Sequence, residues 1–293
     1  MRRLIAPLAA LLLLAAGCAP ARTGTLGPAP GGSSPTAGAS TGAAPGTPSP
    51  IASPSRHTPS APTTVDTPGP AGTVTVQLWF TRDGKLVPTR RTLPATVATS
   101  RLALTELAAG PSLAEAATGM TTLVLPGGQV TRIAGGVAML APPAGFDSGG
   151  LTNVRLREAQ VVWTLTQFPT VRRVAFADAA PTGRDDYADL LPPIVVAAPA
   201  VGDRITSPVT VTGSAEVFEA TVSVRVLDAT GREIGTGFTL AACGSGCRGD
   251  YRVTVGYRRA TAGPGTIEVY EVSARNGSRV NVVAIPVVMA AAG

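Results

Sequence analysis

Apolar and polar positions alternate along residues 73–80, Thr73-Val74-Thr75-Val76-Gln77-Leu78-Trp79-Phe80, and the run is rich in β-branched and aromatic residues, so it predicts a strand. Arg82-Asp83-Gly84-Lys85 follows with Asp-Gly turn chemistry. The pattern then changes period. Leu104 and Leu107 give residues 100–109 one apolar edge, and Gly110-Pro111 stops the helix that this spacing predicts. Pro126-Gly127-Gly128 turns the chain into a segment at 129–133, and Gly135-Gly136 joins it to 137–140, which together read as a hairpin. Leu156, Ala159, Val162 and Trp163 recur at three-to-four spacing and predict a second helix over 154–168, with Pro169 after it and a last strand at 171–176. The predicted order is β-α-β-β-α-β, a two-layer α+β domain over residues 73–180 with helices on one sheet face.

Residues 181–193 read as a connector. Beyond it the period is two again. Seven short segments, near 194–197, 209–212, 221–227, 233–240, 251–255, 266–272 and 280–288, are separated by turns such as Ala229-Thr230-Gly231 and Asn276-Gly277. Short alternating strands at regular spacing predict an antiparallel all-β, immunoglobulin-like sandwich over residues 194–289.

The amino-terminal part has neither period. Met1-Arg2-Arg3 precedes an apolar run at 4–16 that has the length of a signal peptide and falls short of the ~20 residues that span a bilayer. Leu14-Ala15-Ala16-Gly17-Cys18 resembles the bacterial lipobox. That resemblance implies removal of residues 1–17 and a diacylglycerol on Cys18, and two acyl chains anchor a protein stably. Residues 18–72 consist largely of Pro, Gly, Ser, Thr and Ala, with too few large apolar groups to offset the entropy of ordering, so they read as an extended tether. The expected location is therefore outside the cytoplasm, on the membrane surface.

Charge narrows the function classes. From Thr73 onward 20 basic residues face 17 acidic ones, a net +3 spread over two domains, which is too weak for a nucleic-acid partner. Three cysteines remain to be placed. With Cys18 lipidated, Cys243 and Cys247 are expected to form a disulfide, since the intervening Gly244-Ser245-Gly246 lets the Cα atoms approach to the ~4.4–6.8 Å a bridge requires. Cys-x3-Cys lacks redox spacing, and zinc would require about four ligands. The single histidine, His57, lies in the tether, so no Ser-His-Asp or Cys-His set can form in either domain. Asp185, Asp186 and Asp189 cluster in the connector without the spacing of a calcium loop. No cofactor, metal or catalytic residue is expected.

Four pieces of the first region resemble the GerMN domain of sporulation, germination and envelope lipoproteins: Leu78-Trp79-Phe80 followed by Pro88 and Arg90-Arg91, then Leu107-Ala108-Ala109-Gly110-Pro111, then Leu125-Pro126-Gly127-Gly128, and most specifically the run from Gln160 to Val171, Gln-Val-Val-Trp-Thr-Leu-Thr-Gln-Phe-Pro-Thr-Val. Members often carry Asp-Gly after the last strand; here Phe176 leads into Ala177-Asp178. The second region, with Ser207-Pro208-Val209-Thr210-Val211-Thr212-Gly213-Ser214-Ala215 and Phe218-Glu219-Ala220, resembles the immunoglobulin-like domain of bacterial spore germination proteins. The resemblance implies a non-catalytic binding or scaffold role in the envelope, with an envelope protein or cell-wall glycan as partner. Gln160, Thr164 and Thr166 have the polarity to satisfy backbone groups, and Trp163 the size to fill a core. Arg90, Arg91, Arg172 and Arg173 read either as solvated faces or as a contact patch for an anionic glycan or a partner. The rival function is a wall hydrolase using carboxylates of the first domain, among them Glu106, Glu115 and Glu158. Glu219, Glu268 and Glu271 lie in strand contexts that suit structural roles.

Overall fold

The computed structural model describes residues 72–293. The expected signal peptide, the expected lipidation site Cys18 and the expected tether up to residue 71 lie outside the described residues.

Strands β1 (Thr73–Arg82) and β2 (Lys85–Pro94) form a hairpin around Asp83-Gly84, both of which take positive φ. Helix α1 (Thr99–Ala109) buries Ala103, Leu104 and Leu107. A short helix α2 (Leu113–Ala116) starts from a capping box in which Ser112 and Glu115 satisfy each other's backbone N–H groups. The hairpin β3 (Gln129–Ala134) and β4 (Val137–Ala141) follows, then helix α3 (Leu151–Leu165), then β5 (Arg173–Phe176), which pairs parallel to β4. The two-layer α+β class holds. The order gains one strand and one short helix over the expected β-α-β-β-α-β. Strand β2 departs from the alternating pattern because Leu86, Val87, Pro88 and Thr89 are buried consecutively at one end, while Arg90 to Pro94 alternate between exposed and half-buried. Pro88 is tolerated because the hairpin is a two-stranded sheet.

The second domain is a sandwich. One sheet has the order β10-β9-β12-β13-β7, and the other β11-β8-β6. Its strands are β6 (Ile194–Ala198), β7 (Arg204–Ile205), β8 (Val209–Ala215), β9 (Thr221–Asp228), β10 (Glu233–Leu240), β11 (Gly249–Val255), β12 (Gly263–Val272) and β13 (Arg279–Met289). The seven long strands match the expected segments, and β7 is a two-residue addition. In β11 every second residue is buried, as a half-solvated strand requires. Cys243 and Cys247 are disulfide-bonded with Cα atoms 5.7 Å apart, closing the turn between β10 and β11.

Strand β6 joins the domains. Ile194, Val195 and Val196 are all buried, but they serve two cores. Ile194 and Val196 pack with Val211, Val224 and Ile267 inside the sandwich, whereas Val195 packs with Leu191, Tyr187 and Trp163 in the first domain. A strand covered on both faces has no reason to alternate, so this one reads as a continuous apolar run. Lys85 adds a hydrogen bond from Nζ to the Asp189 carbonyl (2.8 Å), and Arg90 pairs with Asp203 (2.9 Å).

Candidate functional site

Helix α3 explains the most specific motif of the sequence. The free edge of β1 offers the N–H and C=O of Gln77, Trp79 and Thr81. Gln160 and Thr164, at i and i+4 of α3, and Gln167 in the turn just past its end put one polar stripe against it. The Thr164 Oγ1 accepts from the Trp79 N–H (3.1 Å), and the Gln160 Nε2 donates to the Trp79 carbonyl (3.0 Å). Gln167 accepts from the Gln77 N–H through Oε1 and donates to its carbonyl through Nε2, both at 2.7 Å. Backbone bonds between Thr81 and Thr121 (2.8 Å each way) finish the edge. The Gln160 Oε1 also accepts from the Leu123 N–H (2.8 Å). The stripe does a neighbouring strand's work, so Gln160 and Thr164 can be fully buried, with Gln167 half-buried at its end.

This arrangement places Trp163 against Trp79, with ring centroids 4.6 Å apart and planes tilted by 49°. Both rings are largely buried, and neither indole N–H has a hydrogen-bond partner among the described residues. They lie at one side of a cleft of about 610 Å³ between the domains. Arg184 stacks on Trp163 (4.6 Å to the ring centroid) while its Nε donates to Thr166 Oγ1 (2.8 Å). Across the cleft, Arg248 donates to the carbonyls of Pro192 (2.7 Å) and Ser214 (3.3 Å). Neither guanidinium forms an ion pair among the described residues, and burial pushes both below the usual arginine range, opposed at Arg248 by the charge of Glu216. The far wall is β8 and β11. Gly213 keeps it close, because a Cβ there would overlap the Val195 carbonyl oxygen and crowd the Tyr251 hydroxyl (2.7 Å). That hydroxyl donates to the same carbonyl (3.1 Å), and burial raises its pKa.

The arginines singled out by the sequence are distributed. Arg90 is exposed at the domain junction beside Asp203. Arg91 points the other way and binds both oxygens of Glu115, at 2.6 and 2.5 Å. Arg172 and Arg173 are exposed on or beside β5, and Arg172 lies over Gly136 and donates to the Gly135 carbonyl (3.1 Å). Arg184 and Arg248 were not singled out, and only the fold brings them to one cleft.

Glu115 is 1 % exposed. Burial alone would raise its carboxyl, but hydrogen bonds from Arg91, Thr89 and the Ser112 N–H outweigh it and hold the pKa at about 2. Such a group stays ionised and cannot serve as a general acid near neutral pH. Glu158 accepts from the Tyr187 hydroxyl (3.0 Å), which burial raises to about 12. Asp189 pairs with Arg155 (2.7 Å), which lowers its pKa, and Asp186 caps the Gly183 N–H (2.7 Å). Glu268 pairs with Arg225 (2.6 Å), Glu271 accepts from the Phe218 N–H (3.0 Å), and Glu219 sits in a tight turn at φ 52. Among the described residues no group of three or more His, Cys, Asp or Glu is placed to hold a metal ion, and no helix is long and apolar enough to cross a membrane.

Residues 63–177 match the family described as "Sporulation and spore germination", and residues 193–278 the one described as "Immunoglobulin-like domain of bacterial spore germination". Among solved structures the chain is similar to the tandem GerMN domains of the sporulation protein GerM from Bacillus subtilis, with 15% identity over 63% of this chain and 62% of that one and a TM-score of 0.35. It is similar as well to the first GerMN domain of the same protein, with 23% identity over 37% of this chain and 86% of that one and a TM-score of 0.32. The chain thus spans under two thirds of the tandem structure. No curated protein matches it.

Proposed function

We propose that this chain, which carries a sporulation-and-germination domain followed by an immunoglobulin-like spore-germination domain, is a lipid-anchored, non-catalytic binding protein of the cell envelope that holds its ligand in the cleft beside Trp79 and Trp163. The observation that carries this reading is the chemistry of that cleft. It combines two indole rings with two partly buried arginines that form no ion pair among the described residues. Unpaired guanidinium groups in a partly dry cleft suit an anionic ligand, because such a ligand would restore the pairing that burial withholds. Of the carboxylates considered for hydrolysis, Glu115 supports binding over catalysis, since it is committed to Arg91. The leader supports delivery across the membrane, with Cys18 as the acylated residue and residues 18–72 as the tether.

Two measurements test the proposal. Labelled fatty acid should enter the wild-type chain and not Cys18→Ser; equal labelling of both would remove the anchor. Purified full-length protein in detergent should co-sediment with isolated cell-wall sacculi, and Arg184→Gln with Arg248→Gln should abolish this. Sedimentation that is absent, or indifferent to the double substitution, would remove the cleft as the ligand site.

A further inference from the structure

The cleft does not end at Arg248. A neighbouring groove of about 460 Å³ shares Thr212 and Arg252 with it and continues past Arg204 to Arg90. Thr212 and Arg252 are directly opposite each other on β8 and β11, so the two spaces are joined across one strand pair. Cleft and groove together are lined by five arginines, Arg90, Arg184, Arg204, Arg248 and Arg252, against two carboxylates, Asp203 and Asp250. That local excess of three equals the net charge of the whole chain from Thr73 onward, 20 − 17 = +3. The basic excess is therefore gathered along one trough. Only Arg90 is neutralised, by Asp203. Arg204 and Arg252 are exposed and make no side-chain hydrogen bond or ion pair among the described residues. The trough is also pre-formed, because β6 locks the two domains through both of its faces.

We propose that this trough binds a linear polyanion, a wall polymer with an anionic group on each repeat, threaded from Arg90 past Arg204 and Arg252 to the indole pair. The proposal rests on the cleft being the ligand site and adds the class of ligand. A row of separated guanidinium groups matches a chain of repeated anions, since each can take one phosphate or carboxylate. A planar anionic bilayer fits worse. It could touch Arg204 and Arg252 at the rim but could not enter a cleft whose indoles are 4 % and 9 % exposed.

The chain's two tryptophans are Trp79 and Trp163, so tryptophan emission reports this site alone. Full-length protein in detergent should be titrated with a synthetic polyglycerol phosphate of about ten repeats, inorganic phosphate, a neutral N-acetylglucosamine oligomer, and vesicles rich in phosphatidylglycerol. Only the polyglycerol phosphate should shift the emission at micromolar concentration. Its affinity should fall with salt, and Arg204→Glu with Arg252→Glu should weaken it at least tenfold and reduce the salt slope by about 1.4, at ~0.7 per contact for a single phosphodiester chain. Arg172→Glu with Arg173→Glu should leave it unchanged. A salt-independent shift by the neutral oligomer would keep the cleft but overturn the polyanion. An equal shift by the vesicles would overturn it in favour of a lipid surface. No shift by any probe, together with no sacculus binding, would remove both readings.

Discussion

Glu115→Gln removes one negative charge and almost no volume from the interior of the first domain. The carboxylate takes two guanidinium hydrogen bonds from Arg91, one from Thr89 and one from the Ser112 N–H. A glutamine can keep part of this set, but Arg91 then faces an uncharged partner with its side chain only 20% exposed. Breaking a buried pair on one side costs about 3–5 kcal/mol, and the partial exposure of Arg91 favours the lower figure. The depressed carboxyl leads to a figure of the same order. Lowering the carboxyl from its ordinary 4.5 to about 2 corresponds to about 3 kcal/mol at ~1.4 kcal/mol per pH unit. Because the folded pKa is depressed, this stability is complete above pH ~4.5 and is lost as pH falls toward 2. Urea denaturation followed by tryptophan emission reports the first domain, since both indoles lie there. Wild type should exceed the variant by about 3 kcal/mol at pH 7, and the gap should close on acidification to pH 2–2.5. Parallel stability curves across that range, or equal midpoints at pH 7, would show that the pair is not what holds α2 to β2.

Four further outcomes follow from the same structure. Gln160→Leu leaves the Trp79 carbonyl and Leu123 N–H buried without partners and should cost about 3 kcal/mol in denaturant unfolding. Gly213→Ala drives a methyl into the Val195 carbonyl and should lower thermal stability by about 1–3 kcal/mol, with the Tyr251 hydrogen bond disturbed in ring NMR signals. Ala177 holds a left-handed conformation (φ 49) at the position after β5, so Ala177→Gly should raise stability by about 0.5–1 kcal/mol, read from the melting temperature. Cys243→Ser with Cys247→Ser releases a bridge between residues four apart and should cost at most about 2 kcal/mol, confined to amide exchange in the β10–β11 turn.

What the sequence made legible follows the physics of each element. Strands with one solvated face, such as β11, carry a period-two signature and were read within a few residues. Strand β2 was missed because Pro88 and Arg90-Arg91 interrupt the pattern, and its pairing is set by the hairpin turn and not by alternation. Gln160, Thr164 and Thr166 read from the sequence as polar groups able to satisfy backbone, yet Thr166 serves Val162 of its own helix and Gln167 is the third partner of the strand, which could not be read because the acceptor and donor groups are β1 backbone atoms about 80–90 positions away. The cleft was the least legible. Arg184, Arg248 and Arg252 lie in three separate local contexts, and their common property, facing one space that Asp250 alone supplies with a carboxylate, arises only when the sandwich docks on the first domain. Arg90-Arg91 shows the reverse: the doublet suggests one patch, but neighbouring residues of a strand face opposite sides, and one of them is spent on Glu115.

The way α3 serves the edge of β1 has a consequence for how such chains can vary in length. Successive helical residues are rotated by about 100°, so inserting or deleting a single residue between Gln160 and Gln167 would swing part of the stripe off the strand, and the buried peptide groups it serves would have nothing to bind. A loop such as 177–181, exposed throughout, can absorb an extra residue by bulging into water. Variants with one residue gained or lost should therefore survive in the loops of this domain and vanish from the last two turns of this helix.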